Sequence, residues 1–258
     1  MNNIVAVSSI VIKELYRRKD AYVLFILTAL ICLVMASVNI FHDDKIIRYL
    51  KEICLLLIWI CSLVIAITTT ARQIPMEREN RTLFPLLAKP LTRTQLLLGK
   101  FLGCWLACGL CLLVFYTFFG LLAASREHHW PLVIYLQAMG LHWVMLAVVV
   151  ALTLLGSLVF AAPSSTTTIT FVIVAFILVL GRHLGKVAIQ MPEPRQSLLY
   201  GLYYVIPHLE LFDVRDLIIH DWPPIAWKVC LLATLYAAAY TAAFLIAACL
   251  VFRRKAVN

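Results

Sequence analysis

The chain has 258 residues, is 63% hydrophobic and only 14% charged, and has a mean hydropathy of +0.94. Ordinary soluble domains are roughly half apolar and about a quarter charged, so no globular core of this length would hide so much oily surface. The net charge of +9 would suggest nucleic acid in a soluble protein, but here the charges lie between apolar runs, which points instead to an all-α integral membrane protein of one domain, 1–258, with no nucleic-acid partner.

Residues 1–20 open the chain. Ile4, Val7, Ile10, Val11 and Leu15 follow a helical stripe that ends in Lys13, Arg17, Arg18 and Lys19. That pattern predicts an amphipathic helix lying in the membrane interface. Its charges follow the apolar stretch rather than precede it, so no cleaved leader is expected.

A crossing helix needs about 20 mostly apolar residues. Six segments qualify, at about 21–41, 53–72, 98–124, 131–161, 165–185 and 225–252. The fourth is long enough to require tilt, a kink or a projecting end. Of the 22 Lys and Arg, thirteen fall on one side: four in 13–19, six in 72–100 and three in 253–255. With only Glu14, Asp20, Glu77 and Glu79 opposing them, positive charge places both termini and the 73–97 loop in the cytoplasm. The outer side carries one large loop, 186–224, whose Tyr200, Tyr203, Tyr204, Phe212 and Trp222 suit a membrane interface. Short helices broken at Pro192, Pro194 and Pro207 are expected there.

The 73–97 loop is longer than two adjacent spans need. Pro75 fits the first turn of a new helix, with Glu77 and Glu79 near its positive end. Lys89-Pro90 marks a break, and Thr92 is placed to cap a second helix that runs into the third span. A short charged helix projecting from the membrane suits docking against another protein better than lying in lipid.

ERENRTLFPLLAKPLTRTQLLLGKFLG, residues 77 to 103, resembles the signature of type-2 (ABC-2) ABC transporter permeases, in the flavour of the multicopper-enzyme maturation permeases. PHLELFDVRD, residues 207 to 216, resembles a weaker pattern of the last outer loop. The resemblance implies six spans, an interfacial helix before them, and a cytoplasmic coupling helix between the second and third. It implies Glu77, Glu79, Arg81, Thr82 and Arg93 as the residues that dock and couple to a separate ATPase. Arg81 stands where members usually have glycine, which favours a plain helix there.

The resemblance further implies a homodimeric exporter with two ATPase subunits, in a bacterial inner membrane, with an extracytoplasmic accessory protein as a further partner. The chain itself carries no phosphate-binding loop: Gly99-Lys100 has Thr94 where the first glycine would stand. It is therefore not expected to be an enzyme, and ATP and Mg2+ belong to the partner.

Other residues invite other readings. Cys104, Cys108 and Cys111 share one face of the third span and would suit a soft metal as thiolates. Thiolates are costly in an apolar setting, and Gly99, Gly103, Ala107 and Cys111 form a small-residue seam, so packing is the expected role and no metal site is assigned. Gln137 and His142 are polar inside the fourth span. They either line a pathway or hydrogen-bond to neighbouring helices. His128 and His129 suit a solvated turn. Ser157 with His183 would be the pair of an intramembrane hydrolase, but nothing beside Ser157 suggests an oxyanion site. A non-transporting regulatory protein of the same fold is the remaining alternative.

Overall fold

The computed structural model describes residues 3–17, 22, 25–30, 33, 44–79, 92–127, 131–190 and 195–254. They form α1 (Asn3–Arg17), α2 (Asp44–Glu79), α3 (Arg93–Glu127), α4 (Leu132–Val159), α5 (Pro163–Gln190), α6 (Arg195–Val205), a 3-10 turn (Leu209–Phe212), α7 (Arg215–Ile219) and α8 (Trp227–Arg254). No strand occurs among the described residues. Five helices are long and apolar enough to cross a bilayer: Lys51–Glu79, Arg93–Ser125, Leu132–Val159, Pro163–Gly181 and Trp227–Arg254. The sequence-predicted first span, 21–41, lies largely outside the described residues, although 25–30 are helical.

The helices overrun the predicted spans. α2 and α3 have 36 and 35 residues, about 54 and 52 Å of axis, against a hydrocarbon layer of about 30 Å. The expected helix start at Pro75 is not what forms. Pro75 lies inside α2, which continues to Glu79. Proline removes one rung, the bond to the Ala71 carbonyl, and neighbouring helices hold such a helix together across the gap; Ile74 beside it is fully buried.

α4 is the centre of the bundle. Met145, Leu146, Val149, Val150, Ala151, Leu154 and Leu158 are sealed on it, and it packs against α2, α3, α5 and α8. Leu55, Ile58, Ile67 and Ile74 of α2 and Leu97, Leu112, Phe115 and Phe119 of α3 complete the core. α5 and α8 turn most of their apolar residues outward, among them Val172, Phe176 and Val179, and Leu231, Leu235 and Ile246. In a bilayer that is ordinary lipid-facing surface.

α1 does not present its whole stripe to lipid. Val7 and Val11 are buried against α3, while Val5 and Ile10 face outward. Gly99 and Gly103 make the approach feasible. A Cβ on Gly99 would stand 2.7 Å from that of Val7, and one on Gly103 would stand 2.7 Å from that of Val11. The matched spacing, seven with 99 and eleven with 103, runs α1 alongside α3 in the same direction. The predicted small-residue seam on α3 is thus the seat of α1.

Past α5, the chain folds back over the end of the bundle opposite the termini. α6 packs on α5, and the 3-10 turn and α7 rest on α2, α4 and α5. Pro207 separates α6 from the 3-10 turn as expected; Pro192 and Pro194 lie outside the described residues. After α7 the backbone turns at Asp221, which has φ 50°, a left-handed conformation that aspartate tolerates.

Candidate functional site

Two polar clusters interrupt this apolar bundle. The first is at the end that carries the termini, where α2 leaves the bundle and α3 enters it. Lys100, one turn into the α1 seat, donates to Gln73 Oε1 at 2.9 Å and pairs with Glu77 Oε1 at 2.6 Å. Its side chain is 6% exposed and that of Glu77 18%. An ammonium so removed from water needs its counter-charge and hydrogen bonds together. Gln73 and Glu77 supply both from one face of α2, four residues apart. The predicted cap is also present. Gln95 N donates to Thr92 Oγ1 and Thr92 N to Gln95 Oε1, each at 3.2 Å, a reciprocal box that starts α3.

Arg93 follows the cap. Its guanidinium donates to the carbonyls of Phe252 at 3.0 Å and Arg253 at 3.4 Å, and lies 5.7 Å from the centroid of the Phe252 ring. A cation on the final carbonyls of a helix meets the negative end of its dipole, so the first turn of α3 holds the last turn of α8. Of the five predicted docking residues, Glu77 is turned inward to Lys100, Arg93 is engaged with α8, and Glu79 is exposed at the end of α2. Arg81 and Thr82 lie outside the described residues. Lys100 is the residue that sequence reasoning missed, counted there as one more loop charge.

The second cluster lies in the other half of the bundle. His142 of α4 is 3% exposed, with Nε2 2.7 Å from Ser62 Oγ of α2 and Nδ1 3.4 Å from Tyr116 Oη of α3. The imidazole therefore ties three helices. Above it Arg215 of α7 donates twice to Asp213, at 2.7 and 2.8 Å, and lies 5.3 Å from the Trp59 ring centroid. These bonds hold the Arg215 guanidinium above its already high ordinary pKa. Lys51 of α2 reaches Asp221 at 3.2 Å and the Ile218 carbonyl at 3.3 Å, fastening the same cap.

Gln137, also predicted to face a pathway, is 4% exposed and does something different. Its amide donates to the Ile225 carbonyl at 2.8 Å and accepts from the Ile225 N–H at 3.0 Å. It clamps the strand of chain entering α8, as another backbone would.

Residues 27–257 match the family model for the ABC-2 family transporter protein. The chain belongs to the ABC-2 transporter family. It is thus a multi-pass membrane component of an ABC transporter, of a family whose members in general partner with ABC ATPase subunits. No curated protein matches this permease.

The remaining candidates can be placed on the ABC-2 permease. Ser157 gives its hydroxyl to the Leu154 carbonyl at 2.7 Å, near the terminal end of α4. His183 stands twenty residues up α5 from Pro163, about 30 Å along the axis, so the two form no pair. Cys104 and Cys108 are buried and Cys111 half-buried. Among the described residues no group of three or more His, Cys, Asp or Glu is arranged to hold a metal. His128 and His129 lie outside the described residues.

Proposed function

We propose that this permease forms the translocation pathway of an exporter as a homodimer, driven by two copies of a separate ATPase that dock on the segment between α2 and α3. Both termini then lie in the cytoplasm of a bacterial cell, an orientation that the Lys and Arg distribution supports. ATP and Mg2+ bind the partner. Closure of the ATPases moves the docked segment, and the helices on either side carry that motion into the bundle.

The observation that supports this reading is the way both flanks of the segment are fastened. Glu77 and Gln73 join the end of α2 to Lys100 of α3, and Arg93 joins the start of α3 to the end of α8. A push on residues 80–91 therefore meets three helices as one body. Of the residues singled out for docking, Glu79 is the acid left facing outward.

Copurification tests it. Tagged wild-type chain should bring down a Walker-motif ATPase in gentle detergent. Glu79→Lys should reduce that recovery without lowering the unfolding temperature, whereas Glu77→Lys should lower the unfolding temperature as well. Undiminished ATPase recovery with Glu79→Lys would remove Glu79 from the docking surface, and absence of any ATPase from the wild type would sink the coupling reading.

A further inference from the structure

Between α3 and α4, on their outward side, lies an apolar groove of about 380 Å3. That is within the ~300–1,000 Å3 of small-molecule sites. Leu106, Leu110 and Leu113 form one wall, Met139 and Trp143 the other, and Ile12 of α1 closes one end. The three leucines are exposed in the folded chain, at the depth of the membrane-crossing helices.

Two features keep the groove open and dry. Gly140 lines it, and a Cβ there would meet nothing within 4 Å. Glycine weakens a helix relative to alanine, and here no packed neighbour demands it. The indole nitrogens are also turned away. Trp105 Nε1 donates to the Trp143 carbonyl and Trp143 Nε1 to the Trp105 carbonyl, each at 3.0 Å, with the rings stacked at 4.5 Å. Tryptophan near a membrane ordinarily sends its N–H to the wet side. With both satisfied on backbone, no side chain lining the groove has a hydrogen bond left to offer.

We propose that this groove seats one acyl chain of an anionic membrane phospholipid, with the phosphate held at the basic end of α1. From Leu106 to Leu113 the groove runs about 10 Å along α3. Its lining is apolar throughout, which suits a hydrocarbon chain. The charge argues for the headgroup. α1 runs alongside α3 from Val7 at Gly99 to Val11 at Gly103, and the same register carries Ile12 to the groove and the exposed Lys13 and Arg17 alongside its Leu106–Leu110 wall. Glu14 is the only acid among residues 3–17. Cationic side chains at a membrane surface attract anionic lipid.

Native mass spectrometry of the purified full-length chain tests this, with bilayer lipids supplied as a mixture of phosphatidylglycerol and phosphatidylethanolamine. The wild type should retain a phosphatidylglycerol mass. Gly140→Phe, growing into open space, and Leu110→Trp, from the opposite wall, should each lose it. Gly140→Ala should keep it, and Lys13→Glu with Arg17→Glu should replace the anionic lipid by the zwitterionic one. Should Gly140→Phe fail to fold, the exposed Leu110 position decides. A wild type that retains no lipid, or filled variants that retain as much as wild type, would overturn the proposal. So would filled variants that split a dimer while their lipid stays unchanged, because the groove would then belong to a second copy.

Discussion

Lys100→Met removes the cation from a pair that is almost wholly out of water. The Glu77 carboxylate and the Gln73 carbonyl oxygen lose the ammonium that they share at 2.6 and 2.9 Å. Removing one member of a buried pair costs about 3–5 kcal/mol when the survivor stays fully desolvated. Glu77 is 18% exposed at the end of a helix and recovers some hydration, which brings the expected loss to about 2–3 kcal/mol. Replacing both, Lys100→Met with Glu77→Met, leaves apolar contact in place of two charges and should come within about 1 kcal/mol of wild type. Glu77→Met strands the more enclosed ammonium and should cost at least as much, so the coupling, the two singles less the double, is about 3 kcal/mol or more, at the top of the range found for groups in contact. Unfolding followed by the fluorescence of the six tryptophans in detergent gives the four corners of the cycle. Additive singles, or a double variant as weak as the worse single, would refute the claim that the two charges exist for each other. If the pair also transmits force, the double variant should be stable yet show weakened ATPase stimulation.

Two further perturbations follow from the packing. Gln137→Leu should cost about 1–3 kcal/mol for the unpaired Ile225 amide and carbonyl, read as a lower unfolding temperature and new protease cleavage in 222–226; an unchanged digest would refute the clamp. Gly103→Leu should dislodge α1, since its first side-chain carbon already meets Val11 and Ser8. A Val7→Cys thiol, buried against α3, should resist alkylation in the wild-type background and react in the Gly103→Leu one.

What was legible in the sequence was local or set by the bilayer. Apolar runs long enough to cross a membrane located the helices in question because length and composition alone decide that property. Thr92 was legible as a cap because its partner, Gln95, is three residues away. Helix ends were less legible. Pro75 reads as a start, yet the helix passes through it because packing on both sides outweighs one missing bond. The α1 stripe was half legible: periodicity marks Val7, Ile10 and Val11 alike, and only the position of Gly99 and Gly103 on another helix selects Val7 and Val11 for burial. The polar partners were not legible. Lys100 finds Glu77 across 23 positions and His142 finds Ser62 across 80, and both depend on the register between helices. Gln137 and His142 looked alike as polar residues of one span, but one grips a backbone and the other joins three helices.

The last helix deserves a mechanical description. Most of α8 faces outward, and along its length it is the least enclosed of the candidate spans, with 17% of its apolar window buried. Yet it is gripped at both tips, by Arg93 on the carbonyls of Phe252 and Arg253, and by Gln137 on Ile225 just ahead of Trp227. A rod seated along one side on α4 and pinned at its ends is placed to act as a tie-rod. It links the first turn of α3 to the cap at the other end of the bundle, some 42 Å away at 1.5 Å for each of 28 residues. The two ends of the bundle are thereby joined by one continuous helix, fastened at each end to a different partner.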